Sequence, residues 1–220
     1  TVPGSATEYS DLNAILLGRA LERAGGAPLD ELVRREVTGP LDLRATSYEG
    51  TSEPPFSVAP TTRGKGEVML GRVNDENADR LGGIAGHAGL FATGLDLAHW
   101  LQAWMGRERG GVRWIDEPTR LGFTRMPPTG RPPGWDRPER KRGEPSQFGD
   151  LSSEQTFGHT GWTGTQLWVD PTRDVFVVFL TNRAYAPPHA DSQRGLKLVR
   201  GQVDDAVVAS IDRGYRPRTP

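Results

Sequence analysis

The sequence predicts an α+β fold, an antiparallel meander of strands covered by helices. Three observations predict it. Apolar residues recur at helical spacing near the start of the chain. Two β-branched runs, separated by a turn signal, stand near its end. A second helical period then closes the chain.

The elements follow in order. Leu12, Ile15, Leu16, Ala20 and Ala24 recur at three-to-four spacing, and Gly25-Gly26 stops that helix. Leu29, Leu32 and Val33 give a second helix over 28–37, ended by Gly39-Pro40. Residues 44–80 carry no period and read as a long surface loop. The run Gly82-Gly83-Ile84-Ala85-Gly86-His87-Ala88-Gly89 suits a close approach of backbone to backbone or to a ligand. Thr93 and Asp96 resemble a capping box, and the helix they open places Leu97, Trp100, Leu101 and Trp104 on one side. Pro118, just after Asp116, suits the first turn of a short helix. Residues 126–154 are dense in Pro, Gly and charge and read as an exposed insertion.

Residues 165–169 and 175–181 read as the two strands of a hairpin, joined by Asp170-Pro171-Thr172-Arg173-Asp174. Residues 156–161 add a strand before it. After Pro187-Pro188, the residues Leu196, Val199, Val203, Val207 and Ile211 predict a long amphipathic helix.

Composition narrows the function. A net charge of -1 gives no broad attraction to nucleic acid or an anionic membrane, so neither is expected as a partner. No apolar run approaches the roughly 18 residues of a spanning helix. With no cysteine, disulfides and thiolate metal sites are excluded. Asp75, Glu76 and Asn77 are adjacent rather than alternating, so they read as a loop-stabilising network and not a calcium loop; no metal and no cofactor is expected. The apolar share of 35%, with 28 Gly and 18 Pro, suits a piece of a larger protein better than a complete compact enzyme.

Two short segments could carry chemistry. Tyr9-Ser10-Asp11 stands at a helix entry, and His159-Thr160-Gly161 stands before the hairpin. Either alone reads as capping or as a strand end. In this order and these settings they resemble the second and third motifs of the penicillin-recognising serine hydrolases, the β-lactamase and D-Ala-D-Ala carboxypeptidase superfamily. The flanks are similar too: Leu12-Asn13 and Ile15-Leu16-Leu17-Gly18 after the tyrosine, Gly158 and Trp162-Thr163-Gly164-Thr165 around the triplet, and Leu180-Thr181-Asn182-Arg183 after the hairpin. Asn74-Asp75-Glu76-Asn77-Ala78 through Gly89-Leu90-Phe91 resembles a branch of cell-wall-associated members.

The resemblance implies a β-lactamase/transpeptidase-like fold of which residues 1–220 form the C-terminal portion. Within it, 1–125 would be a helical subdomain with cleft loops, 126–155 an exposed linker, and 156–220 the sheet hairpin and C-terminal helix. It implies acyl-enzyme hydrolysis of an amide or ester, with a peptidoglycan peptide, a β-lactam or an ester as substrate. Tyr9 would act as the base, Asp11 would meet the motif lysine, and His159 would line the cleft. Thr160 and Gly161 would bind substrate, and Thr163 would supply an oxyanion donor. His87 would be a substrate-wall residue, or else a histidine that ties its loop together. Trp135 and Trp162 would be cleft residues, while Trp100 and Trp104 suit a helix core.

Two positions depart from the pattern. Asp11 stands where asparagine is usual, and an ionised aspartate only accepts hydrogen bonds. His159 stands where lysine is usual and carries little charge at neutral pH, which favours an esterase or D-aminopeptidase reading.

The nucleophile motif is absent. Lys65, Lys141 and Lys197 are preceded three residues earlier by Thr62, Pro138 and Arg194, so Ser-x-x-Lys does not occur. Thr62-Arg63-Gly64-Lys65 is the nearest look-alike, in a loop unable to present both side chains from one helical turn. The expected partner is therefore an N-terminal part of the same protein that brings the serine, the lysine and the first sheet strands. The alternative is a non-catalytic relative that binds cell-wall peptides. The resemblance favours an extracytoplasmic location.

Overall fold

The computed structural model describes residues 2, 5, 8–50, 57–125, 131–139, 144, 146–185 and 192–214. The segment 187–188, expected to precede the last helix, and much of 126–145 lie outside the described residues. The chain forms two compact units, one of residues 1–103 with 108–114, the other of 104–107 with 115–220.

In the first unit, helix α1 (Asp11–Gly25) starts at Ser10, whose side chain accepts from the Leu12 N–H, and ends on left-handed Gly26. The predicted helix is present, but its buried face is not the predicted one. Gly18 is buried, while Leu12, Leu16, Leu17 and Leu21 are exposed. The reason is a close crossing with the glycine run: a Cβ on Gly18 would stand 3.3 Å from Gly86 Cα. Leucine on that face would hold the two backbones apart.

Helix α2 (Leu29–Val33) buries Leu29 and Leu32 and continues into a π-helical turn (Arg34–Thr38). The stretch 44–80 is not the structureless loop expected. It contains strands β1 (Thr61–Arg63) and β2 (Glu67–Met69), paired antiparallel, and helix α3 (Glu76–Arg80). The turn signal was Gly64-Lys65-Gly66, where both glycines have positive φ, 55° and 99°. Three-residue strands are too short to show a period of two. Arg63 and Arg72 both reach Asp79, and Asn74 donates to Thr61 Oγ1 and Thr62 O, so the hairpin is fastened to α3.

Helix α4 (Gly94–Trp104) buries Leu101, Ala103 and Trp104. Only half of the expected capping box forms. The Asp96 N–H donates to Thr93 Oγ1, but the Asp96 carboxylate accepts from Ala45 N and Thr46 Oγ1 instead of closing the box. Leu41, Leu43 and Ala103 make a small core with Val37, Trp100 and Trp114 against it.

In the second unit, helix α5 (Glu117–Thr124) starts at Asp116, with proline in its first turn as expected. Although expected with the helical part, it belongs here: Phe123 packs edge-on to Trp104, with centroids 5.9 Å apart. Strands β3 (Phe157–Thr160), β4 (Gln166–Asp170) and β5 (Val175–Phe179) form an antiparallel meander in that order. Helix α6 (Ser192–Asp212) follows a 3-10 turn (Arg183–Tyr185). The predicted α+β class is the observed one.

The core of this unit is Phe148, Trp168 and Val208, with Val175 and Val177 packed against it. Burying each such side chain contributes about 1.5–3 kcal/mol. Phe148 reaches β3 because position 158 is glycine; a Cβ there would lie 2.7 Å from the Phe148 ring. The exposed linker expected over 126–155 is corrected by these residues. Trp135, Ser146, Phe148 and Ser152 are buried, since the segment supplies rings to the core and pairs Asp136 with Gly158 of β3.

Helix α6 is amphipathic, but its most buried face is rotated from the expected stripe, of which Leu196, Val203, Val207 and Ile211 are half-buried. Arg200, Gly201, Asp204 and Val208 are buried, whereas Leu198 and Val199 are exposed. Asp170, at the end of β4, fixes the β4–β5 loop by accepting from Ser153 N and Oγ, from Thr172 N and Oγ1, and from Arg173. Arg173 also pairs with Asp212, tying the loop to α6.

Candidate active site

In the first unit the Tyr9-Ser10-Asp11 motif sits at the start of α1. Tyr9 is 63% exposed and Asp11 is the first helical residue. Ser10 is the cap, so its hydroxyl is committed to the helix backbone. The helix is held from beneath by Gly86: a Cβ there would overlap the Ala14 carbonyl oxygen. Glycine at 86 thus sets the height at which the tyrosine helix rests.

His87 follows at once. Its Nε2 lies 2.7 Å from Asp75 Oδ1, and its side chain is only 4% exposed. Asp75 also caps α3 by accepting from the Ala78 N–H. Burial would raise the Asp75 pKa, but the Ala78 amide and His87 outweigh it and hold the carboxyl below its usual range. The imidazole is therefore a strut between the α3 cap and the glycine run. Lys65 lies at the β1–β2 turn, so the Thr-Arg-Gly-Lys look-alike is a hairpin tip and presents no helical face.

In the second unit His159 and Thr160 end β3, the edge of the meander opposite β5. Among the described residues that edge carries the Asp136–Gly158 bridge, and an edge strand is the element to which an extended ligand can add. His159 is half-buried, with Nδ1 3.0 Å from Thr160 O. At Gly161 a Cβ would overlap Thr165 Oγ1, so a larger residue there would have to displace that hydroxyl.

The turn after the triplet has an unusual polarity. All five carbonyls from 161 to 165 accept hydrogen bonds from the protein. Gly161 O takes the Gly164 N–H and Arg200; Trp162 O takes Arg183 Nε; Thr163 O takes the Arg183 and Ala184 N–H groups; Gly164 O takes Thr181 Oγ1; Thr165 O takes the Gly161 N–H and Arg200. None of the turn's own bonds uses the N–H of Trp162 or Thr163. With the carbonyls engaged by the protein, the N–H groups of Trp162 and Thr163 are the polar groups that the turn's own bonds leave over, and adjacent main-chain N–H groups are what an oxyanion receptor requires.

The comparisons with known proteins concern the family and the fold. The beta-lactamase family model matches residues 1–202. The chain belongs to the beta-lactamase family. It is 35% identical over 207 residues to a Salmonella paratyphi B protein named "Putative D-alanyl-D-alanine carboxypeptidase", covering 84% of this chain and 47% of that protein. A beta-lactamase from Mycobacterium bovis shares the fold at TM-score 0.65 and 20% identity, over 96% of this chain and 66% of that one. The octameric penicillin-binding protein homologue from Pyrococcus abyssi does so at 0.62 and 17%, over 100% and 45%. The chain spans about half the length of the curated relatives it matches.

Within this beta-lactamase family chain, other residues take plainer roles. Trp135, expected in the cleft, is 3% exposed and packs edge-on between Trp104 and Phe157, so it is core. Trp162 is 64% exposed, with the Arg183 guanidinium 4.1 Å over its ring. Among the described residues no three His, Asp or Glu side chains converge as a metal would require. No described helix is long and apolar enough to cross a membrane. Sequence reasoning missed Thr181, Arg183 and Arg200 as supports of the motif turn. The signal available for Arg200 was its four-residue spacing to Asp204 and Val208, which marks one helix face.

Proposed function

We propose that the protein carrying this chain is a serine acyl hydrolase that acts through an acyl-enzyme on an amide or ester. A stem peptide ending in D-Ala-D-Ala is the favoured substrate, and β-lactams and simple esters share its chemistry. The observation that supports the reading is the turn at 161–165, whose five carbonyls are engaged by the protein while its own bonds leave the Trp162 and Thr163 N–H groups unused. The name of the Salmonella relative supports the substrate class.

In this reading the nucleophilic serine and its lysine come from a segment outside these residues, as does the sheet beside β5. The exposed leucines of α1 and the exposed Leu198 and Val199 of α6 support such a covering segment. Tyr9 takes the serine proton. A free tyrosine has a pKa near 10, so the lysine charge is needed to favour its phenolate. Asp11 accepts from that lysine. The serine oxygen attacks the carbonyl carbon, and the oxyanion rests on main-chain N–H groups of the turn, with Thr163 as the assigned donor. Tyr9 then returns the proton to the leaving group, and water completes the cycle. Thr160 and Gly161 seat the substrate along β3, while His159 lines the site. His87 shapes the site through the glycine run. The cell wall, outside the cytoplasm, is where such a substrate lies.

Intact-mass analysis of the whole protein with a fluorescent penicillin, and separately a fluorophosphonate, tests this. A single adduct on a serine outside the present residues is expected. Folded protein that reacts with neither probe would replace this reading with a non-catalytic peptide-binding relative.

A further inference from the structure

Arg200 is the least expected buried residue of the second unit. It lies on the inner face of α6 and is 5% exposed. Buried arginines are ordinarily matched by a carboxylate. Among the described residues no carboxylate comes within ion-pair distance of this one, although Asp204, one turn along the helix, attracts it. Its Nη2 instead donates to two main-chain oxygens, Thr165 O at 2.7 Å and Gly161 O at 3.2 Å.

Those two oxygens close the motif turn. Gly161 N–H donates to Thr165 O at 2.8 Å, and Gly164 N–H donates to Gly161 O at 3.1 Å. Arg200 is thus the second donor on both carbonyls at the base of the loop. The carbonyls of Trp162, Thr163 and Gly164 are drawn off in the other direction by Arg183, Ala184 and Thr181. With Arg200 removed, Gly161 O and Thr165 O keep one donor each. The 161–162 and 165–166 peptide planes can then rotate, because glycine at 161 and 164 opposes rotation only weakly.

We propose that Arg200 is the positioning residue of the motif turn: its guanidinium fixes the 161–162 and 165–166 peptide planes, and so the direction of the Trp162 N–H and the base from which the neighbouring Thr163 N–H is presented to the reacting carbonyl. The inference rests on the acyl-hydrolase reading for its consequence in turnover, but not for its consequence in the turn. Arg200 does not touch substrate. It acts through two carbonyls, and its loss moves the acylation rate more than substrate affinity. Lysine is a poor replacement, because one ammonium on a flexible stem does not hold two carbonyls in a fixed plane as guanidinium does.

The experiment uses the whole protein and the variants Arg200→Met and Arg200→Lys. Methionine keeps the apolar stem. If Arg200→Met fails to fold, Arg200→Lys retains the charge and carries the same readouts. Backbone hydrogen exchange is followed at the Gly161 and Gly164 amides, with Val177 on β5 as internal reference. Acylation by a fluorescent penicillin is resolved into a binding constant and a first-order step. The expected result is faster exchange at Gly161 and Gly164 with Val177 unchanged. The acylation step should fall about 10- to 100-fold, as misplacement of a receiving group entails, with the binding constant changed less than about 3-fold, and lysine should lie between methionine and the wild type. Unchanged exchange at Gly161 and Gly164 in a folded variant overturns the proposal. So does faster exchange with unchanged acylation. A wild-type protein that forms no adduct sinks the acyl-hydrolase reading, and the exchange data still decide whether Arg200 holds the turn.

Discussion

Gly18 and Gly86 bring helix α1 and the glycine run into backbone contact. A Cβ built on Gly18 would stand 3.3 Å from both Gly86 Cα and Gly86 N, and one built on Gly86 would overlap the carbonyl oxygen of Ala14. The tyrosine motif sits at the start of that helix, so this contact sets its support.

The two glycines should respond unequally to alanine. Gly86→Ala puts a methyl into backbone that cannot give way, and overpacking of this kind costs about 1–3 kcal/mol. Gly18→Ala meets atoms at 3.3 Å, a tight contact offset by roughly 0.8–1.0 kcal/mol of helix propensity. Urea denaturation of the whole protein should therefore show a large loss for Gly86→Ala and a small change for Gly18→Ala. Equal losses would mean that the crossing is looser than described.

Replacing His87 should loosen the α3 cap. His87→Ala removes the imidazole from Asp75 Oδ1, so this partly exposed carboxylate loses a side-chain partner and keeps the Ala78 N–H, at about 0.5–1.5 kcal/mol. The Asp75 pKa is lowered in the folded protein, so its contribution is present above the unfolded value and lost as pH falls through the folded one. In the variant that loss should begin at a higher pH. Acid unfolding followed by tryptophan fluorescence reads the shift, and coincident acid curves would remove the assigned role.

Asp170 should be the costliest polar residue of the hairpin. It is fully buried and accepts from Ser153, Thr172 and Arg173. Burial would raise its pKa, but bonds from Thr172, Ser153 and Arg173 hold it below the usual carboxylate range. Asp170→Ala leaves these donors unmatched and should lower stability by about 3–5 kcal/mol. Asp170→Asn should cost less, since it still accepts on one atom. Thermal melts of the two variants at neutral pH distinguish them.

Asp204 should make the second unit less stable as pH rises. Burial, with the nearby Asp205 charge adding to it, pushes its pKa up to about 7, against the bonds and charges of Gln166 and Arg200. An acid whose folded pKa is raised holds its proton more tightly when folded. Its penalty is absent below the unfolded value near 3.8, grows as pH rises above it, and is complete above about 7. Asp204→Asn should flatten the stability profile between pH 5 and 8 and raise the melting temperature most at pH 8. A parallel profile for variant and wild type would count against the buried carboxylate.

Local pattern made the order of elements legible. The caps at Ser10 and Asp116, the stop at Gly26 and the loop at 170–174 are short-range signals, and the strands and helices they bound are present. The β1–β2 hairpin escaped because three-residue strands carry too few positions to show alternation. The settings of the Tyr9 and His159 segments were legible, since a helix entry and a strand end are both local signals.

The buried faces of α2 and α4 were legible, with Leu29, Leu32, Leu101 and Trp104 inward as expected, but those of α1 and α6 were not, and the reason is physical. Apolar spacing proposes a stripe, but the neighbour decides which stripe is covered. On α1 the glycine run selected Gly18 over the leucines, because backbone contact needs the smallest side chain. On α6 the turn at 161–165 selected Arg200 and the interior selected Asp204, because buried carbonyls and Gln166 need polar partners more than apolar ones. The sequence by itself determined the α+β order, the tyrosine and histidine motifs and the absence of the nucleophile pair. Only the tertiary structure decided which side chains hold those motifs, since a hydrogen-bond partner 39 residues away leaves no periodic trace.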